Sequence, residues 1–368
     1  MQRKYPFYLK STIILLGLIL FVYTIFNLKE ILIPISFSLM LAILLNPLSN
    51  WFDKKKLPRV LSIALSMFIA IIAIAGIAYF LSSQIASFSD QFPLFKKKFV
   101  ELFAQLQTTV DQRLNINIEK QNQWIAKAAS GMQPIIGQTL GTVFTSMALI
   151  FLLPVYTFLF LFYKSLILNF LHEVFAEKNS KEVAVVLGQT KGAIQSYMVG
   201  LLLEALIVAT LNSIALLILG VKYAILLGVL GAILNVLPYI GGIIAIALPL
   251  ITATITKDGF HTQLGIIVAY LVIQFIDNHF LVPYIVSSKV KINALISIII
   301  VLLGGAVWGV SGMFLSIPFI GVLKIIFDRI PELKPWGKLL GEEIPTRRKD
   351  EIWRGLRRKK TISEKITI

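Results

Sequence analysis

Two carboxylates lie deep in apolar sequence. Glu204 stands between Leu201–Leu203 and Ala205–Val208, and Asp277 stands within Gln274-Phe275-Ile276-Asp277-Asn278-His279. A carboxylate inside a membrane-spanning segment costs roughly 2.5–3.5 kcal/mol on insertion scales, so each marks a candidate functional group. On a helix, Gln274, Asp277 and Asn278 fall at i, i+3 and i+4 and share one polar face, expected to point inward rather than toward lipid. His279 turns away from that face and reads as a packing residue. A buried carboxyl can carry a proton across a membrane, and an ionised one beside unwound carbonyls can hold Na⁺ or a hydroxylated solute. The plainer alternative is interhelical hydrogen bonding that only holds the bundle together. Asn212 shares the apolar run of Glu204, and Lys324 and Asp328, four apart, are placed to pair.

The elements that would position these groups are irregular. Leu226–Ile251 is apolar enough for a bilayer yet contains Gly228, Gly231, Asn235, Pro238, Gly241, Gly242 and Pro249. Irregular backbone survives at membrane depth only where protein buries it or where it lines a wet cavity. We therefore expect a broken helix beside a pathway, with Asn235, Pro238, Tyr239, Gly241 and Gly242 at the break. Tyr239 serves equally well as a packing residue, and the glycines equally well for close helix approach. Leu237-Pro238-Tyr239-Ile240-Gly241 is echoed by Ile317-Pro318-Phe319-Ile320-Gly321 and, more briefly, by Val282-Pro283-Tyr284-Ile285. Such echoes point to a repeat flanking a binding site.

The chain has 368 residues, 57% hydrophobic and only 15% charged, with a mean hydropathy of +0.82. Soluble domains carry about 25% charged residues, so the fold class is all-α, a polytopic helical membrane protein with about eight transmembrane helices and broken helices in its C-terminal half. The net charge of +16 lies largely in short flanks and in the tail, which argues for membrane orientation and against nucleic acid. With no cysteine and only His172, His261 and His279, neither a thiolate site nor a catalytic metal is expected. His172-Glu173 lacks a second histidine at the zincin spacing, and there is no G-x-S-x-G elbow or phosphate-binding glycine loop. No cofactor, no ATP-driven step and no enzymatic activity are expected.

In order, 1–81 should hold three spans: Lys10–Asn27, Ile31–Leu48 and Val60–Leu81. No small-x-small site follows the first, so an uncleaved first span is expected rather than a signal peptide. The loop Trp51–Arg59 sets Lys54, Lys55, Lys56 and Arg59 against Asp53, which places it and the N-terminus in the cytoplasm. Residues 82–138 form an extracytoplasmic helical insert with an apolar stripe at Phe95, Phe99, Leu102, Phe103, Leu106 and Val110. A fourth span occupies 139–163, a charged cytoplasmic helical segment 164–195, a transport core of four spans 196–328, and a basic cytoplasmic tail 329–368. Eight spans bring tail and N-terminus to one side but leave Lys289 and Lys291 facing outward. The last apolar region, Ala294–Phe327, is too long for one straight span.

The motifs L-G-x-x-x-x-x-x-N-x-L-P-Y-I-G at Leu227–Gly241, Asp277-Asn278, Pro283 and G-G-x-x-W-G-x-x-G-x-x-x-x-x-P from Gly304 to Pro318 together resemble the AI-2E (autoinducer-2 exporter, PerM-like) family. The resemblance covers nearly the whole chain. It implies a bacterial inner-membrane transporter moving a small solute without ATP, and it associates members with autoinducer-2 export, with Na⁺ or Li⁺/H⁺ antiport, and with homo-oligomers, pentamers among them. Asn235, Pro238, Tyr239, Gly241, Asp277, Asn278, Pro283, Gly304, Gly305, Gly309, Gly312 and Pro318 match its pattern. Gly242 stands where proline is expected, and Asn293-Ala294 where many relatives have a His-Pro-like pair. The reading is thus a solute exporter with Asp277, Asn278 and then Glu204 as leading polar contributors. The alternatives are a cation/proton antiporter and a non-transporting membrane scaffold that uses the insert and tail as contacts.

Overall fold

The computed structural model describes residues 6–89, 92–114, 117–123, 151–236, 241–257, 259–286 and 292–342. Every long element among them is helical, as apolar sequence requires when no water is available to satisfy the backbone. The order is α1 (Phe7–Asn27), α2 (Lys29–Lys54), α3 (Arg59–Ser89), α4 (Phe92–Leu114), α5 (Phe151–Phe162), α6 (Lys164–Ile218), α7 (Ala224–Asn235), α8 (Gly241–Thr256), α9 (His261–Ile276), a π-helix at Asp277–Val286, α10 (Ala294–Arg329) and α11 (Lys334–Leu340). Among the described residues six helices are long and apolar enough to cross a membrane, or seven if α5 and the start of α6 count as one bent span. The helix α4 forms where the insert's apolar stripe predicts one, and α3 runs to Ser89, beyond the expected end of the third span.

Helix α6 is not a straight rod. Lys164, its first residue, donates to Asn46 of α2, while Tyr197 and Ile194 pack with Met40 of the same helix. Asn46 and Met40 are separated by about 9 Å of helix, whereas the 33 steps from Lys164 to Tyr197 would span about 50 Å if straight. The first part of α6 therefore doubles back before its apolar part traverses the bundle. This bend, the α2–α3 turn and the end of α10 share one face of the molecule, here termed the basic face for its Lys54–Lys56 and Arg59. The turn after α1, the Ile218–Ala224 turn and the start of α9 lie at the opposite face.

The stretch expected to be a broken sixth span is instead a helical hairpin. Gly228 of α7 packs on Ser213 and Gly231 on Asn212, so α7 runs antiparallel to α6, away from the opposite face. Helix α8 then retraces that path: Gly241 abuts Leu234 and Asn235, a Cβ on Gly231 would lie 3.5 Å from Ala245, and one on Gly220 would lie 3.2 Å from Lys257 Nζ. Both ends are thus at the opposite face, and Asn235 and Gly241, which flank the turn, lie between the two faces. The physical reason is that α7 has 12 residues and α8 16, each too short for the ~20-residue crossing a bilayer demands.

Helix α9 and the π-helix then run from the opposite face to the basic face, with Gly265 against Leu219 and Asp277 against α7. The flanks of the Lys289–Lys291 segment accordingly return to the basic face, where Ile292 packs with Ala193 and Leu340. The expectation for Lys289 and Lys291 themselves falls on residues outside the described ones.

Helix α10 also folds into a hairpin, turning at Trp308 (φ −127°, ψ 15°) and Gly309 (φ 61°, ψ −141°). Positive φ at Gly309 suits a residue without a Cβ. Across the turn Gly304 meets Gly312, and Ser316 Oγ donates to the Ile300 carbonyl at 3.0 Å. At its tip Trp308 Nε1 donates to the Ile25 carbonyl at the end of α1 (3.0 Å). Its base is closed by Asn293, whose Oδ1 accepts from Ile296 N–H at 2.9 Å and whose Nδ2 donates to the Leu339 and Gly341 carbonyls at 2.7 and 3.1 Å. Replacing Asn293 with alanine removes a helix N-cap and both side-chain ties to the end of α11, leaving the bond from the residue-293 N–H to the Leu340 carbonyl. We expect a loss of about 1–3 kcal/mol, measurable as a lowered unfolding midpoint in detergent and as faster proteolysis at Lys334–Leu340.

Candidate functional site

The polar residues meet where the α7–α8 hairpin presses on α6 and α9. Glu204, Val208 and Asn212 recur every fourth residue and so share one stripe of α6. Glu204 is 6% exposed, and its carboxyl faces that of Asp277, which is 2% exposed. Asp277 is the first residue of the π-helix, and Pro283 in that helix lacks the N–H that an α-helix would direct at the His279 carbonyl. Wide turns of this kind are common at functional sites.

Asn235, the last residue of α7, donates from Nδ2 to Asp277 Oδ2 at 2.8 Å. Gln274 Nε2 reaches Asp277 Oδ2 at 3.5 Å and Asn278 Oδ1 at 3.4 Å. Gly242, at the start of α8, sits so close to Gln274 that an added Cβ would lie 2.7 Å from its Oε1. The end of α7 is therefore tied to the π-helix by one short hydrogen bond, and the start of α8 packs its glycine backbone on the Gln274 side chain of α9.

On the opposite-face side of Asp277 these groups enclose a cavity with room for about one water molecule. It is lined by Asn212, Asn235, Tyr270, Gln274 and Asp277, with Val208, Gly231, Ala245 and Ile273 supplying the apolar walls. Three lining oxygens, Asn212 Oδ1, Tyr270 Oη and Asp277 Oδ1, are buried with no hydrogen-bond partner among the described residues. Buried polar atoms ordinarily find partners, so these three residues of the cavity wall hold unused hydrogen-bonding capacity. The set is oxygen only, and among the described residues no group of three or more His, Cys, Asp or Glu could hold a metal ion.

Of the residues expected from sequence, Glu204, Asn212, Asn235, Gly242, Gln274 and Asp277 are brought together, and Gly241 abuts Leu234 and Asn235 at the tip. Asn278 and Pro283 are exposed rather than turned inward with Asp277. Pro318 is buried in the second arm of the α10 hairpin, flanked by Leu315 and Ile317 that pack against α2 and α6, and it does not line the cavity. Pro238 and Tyr239 lie outside the described residues. His279 stacks on Phe275 at 4.2 Å, as its packing role anticipates. Lys324 and Asp328 pair at 2.6 Å. Tyr270 is the lining residue that the sequence reading lacks. Its spacing of four from Gln274 and seven from Asp277 places it on their face of α9, so helical periodicity was a sufficient signal.

A family model described as AI-2E family transporter matches residues 12–332. The chain is similar to YrrI of Bacillus subtilis, a provisionally named transport protein, with 26% identity over 315 residues that cover 81% of this chain and 86% of the relative. It is 25% identical over 305 residues to the AI-2 transport protein TqsA of Escherichia coli, covering 82% and 86%. Against PerM of the same organism, provisionally named a permease, it is 28% identical over 182 residues, or 49% and 51% of the two chains.

Proposed function

We propose, for a chain that belongs to the AI-2E family of membrane transporters, that the cavity under the α7–α8 hairpin binds a small polar solute during ATP-independent passage across the bacterial inner membrane. The observation that carries this reading is that Asn212, Tyr270 and Asp277, which line one small cavity, each keep a buried oxygen without a hydrogen-bond partner among the described residues. A hydroxylated solute supplies the donors that these oxygens lack, and the similarity to TqsA makes autoinducer-2 the first solute to test.

The hairpin is the moving part in this proposal. Asn235 holds it against Asp277 through a single short bond, and a solute hydroxyl or a cation that competes for Asp277 would release it. Glu204, facing Asp277 from α6, supplies the second carboxyl for coupling to H⁺ or Na⁺. The basic face is the cytoplasmic one in this reading, since Lys54–Lys56 and Arg59 lie there, and both termini follow it. The second reading, cation/proton antiport, draws on the same three oxygens, whose chemistry suits a dehydrated Na⁺ as well as a hydroxyl group.

Flux measured in proteoliposomes under separate H⁺ and Na⁺ gradients tests both. The expected result is gradient-driven movement of autoinducer-2 or another small hydroxylated solute, saturable and dependent on Asp277. Proton flux driven by a Na⁺ jump without any organic solute would favour the antiporter. Absence of both in well-reconstituted protein would overturn transport through this cavity and leave the scaffold reading.

A further inference from the structure

Where α5 ends and α6 begins, the helix axis bends by 62° at the basic face. Three cations from two helices gather there. Arg59, the first residue of α3, donates from Nη2 to the Leu161 carbonyl at 2.9 Å and from Nη1 to Ser165 Oγ at 3.3 Å. Lys164, the first residue of α6, donates to Asn46 Oδ1 at 2.8 Å. Lys191 arrives on the returning part of α6, close enough that its charge and that of Arg59 act on Lys164.

Every hydrogen-bond acceptor just named is neutral. Asp53 is the one carboxylate acting on Lys164, and the ion pair found among the described residues is Lys324–Asp328, on α10. Lysine only donates, so the Lys164 contact fixes which atom of the Asn46 amide is oxygen. Asn46 Nδ2 is then a buried donor without a partner, on a residue 4% exposed. No side chain caps the start of α6, and its first turn contains no acid. This corner thus has a donor left over, and three positive charges with the single carboxylate Asp53 acting against them. Burial, with Lys191 and Arg59 adding to it, holds the Lys164 ammonium below the usual lysine range, and Asp53 opposes the shift without cancelling it.

The surroundings are apolar and open. Val60, Leu61, Phe162, Tyr163 and Leu166, all next to these cations in sequence, are exposed. A soluble anion gains nothing from such a rim, whereas a lipid places acyl chains along it while its headgroup meets the cations. We propose that the cluster of Arg59, Lys164 and Lys191 binds the phosphate of an anionic phospholipid headgroup, with the acyl chains lying against the Val60–Leu61 and Phe162–Leu166 surfaces. The headgroup staples the start of α3 to both parts of α6 and holds the bend at Tyr163.

The test uses the full chain purified in detergent. Its unfolding midpoint is measured with added phosphatidylglycerol, phosphatidylcholine or inorganic phosphate, and bound lipid is counted by native mass spectrometry. Phosphatidylglycerol should raise the midpoint saturably and remain bound, while the other two additives should not. The double variant Arg59→Gln/Lys191→Gln should bind phosphatidylglycerol about tenfold more weakly, and Lys29→Gln, at the opposite face, should bind as the unaltered chain does. Equal stabilisation by phosphatidylcholine would overturn the charge argument, and equal stabilisation by inorganic phosphate would overturn the lipid assignment. Undiminished binding by the double variant would overturn the site. Should that variant fail to fold, the headgroup comparison on the unaltered chain still decides, since no preference for phosphatidylglycerol sinks the proposal.

Discussion

Asp277→Ala is expected to lower solute flux in proteoliposomes by about ten- to a hundredfold while leaving the chain inserted and folded. The carboxylate accepts the 2.8 Å bond from Asn235 and contributes one of the three unpartnered oxygens. A hydrogen bond to a charged group is worth about 1.5–3 kcal/mol, and each 1.4 kcal/mol is a factor of ten in affinity. Stability should change less, because alanine strands the Asn235 donor but also removes a carboxyl desolvated beside Glu204. Asp277→Asn separates the two roles. It keeps an oxygen for Asn235 and removes the charge, so flux should persist while its response to H⁺ or Na⁺ gradients disappears. Unchanged flux with an unchanged gradient response in both variants would remove Asp277 from the pathway.

Gly312→Ala should be the most damaging small substitution outside that site. Its new Cβ would meet the Gly304 carbonyl oxygen and lie 2.7 Å from that carbonyl carbon and 2.9 Å from Trp308 Cβ. Two of the three obstacles are backbone, so the arms of the α10 hairpin must move apart, breaking the Ser316–Ile300 bond. Overpacking of this kind costs about 1–3 kcal/mol and occasionally more. Gly17→Ala, where nothing lies within 4 Å of the added carbon, is the matched control. Relief of glycine's helix penalty makes it neutral or stabilising by up to about 1 kcal/mol. Unfolding midpoints in detergent should therefore fall for Gly312→Ala and hold or rise for Gly17→Ala; equal midpoints would mean that the two arms do not touch.

Composition and hydropathy made the helical membrane fold legible, and the cost of buried carboxylates singled out Glu204 and Asp277. The breakers between Gly228 and Gly242 revealed that the helix is interrupted. They did not reveal that the chain turns back, because a kinked crossing and a re-entrant hairpin need the same residues. What decides between them is which partner each glycine abuts, Ser213 for Gly228 and Leu234 for Gly241. The same limit applied to α10, where Gly304, Gly309 and Gly312 read as punctuation but only the pairing of Gly304 with Gly312 makes a hairpin. Asn278 was placed on the Asp277 face by α-helical spacing. Asn278 keeps the contact with Gln274 that this spacing predicts, yet it is exposed. Asn293, a departure from the family pattern in sequence, proves to be the clasp at the base of α10.

The hairpin of α7 and α8 also constrains how the chain is assembled during synthesis. It places Asn235 and the glycine-lined start of α8 between the two faces of the bundle, and part of what meets Asn235, the Asp277 carboxylate, is translated 42 residues later. Until α9 emerges, a hairpin lodged in lipid would hold those polar groups against hydrocarbon, which is costly at membrane depth. The expected consequence is that α7, α8 and α9 enter the membrane together, with the hairpin waiting at the surface for the helix that completes its environment. Order of insertion, and not only final geometry, is written into the separation between Asn235 and its acceptor.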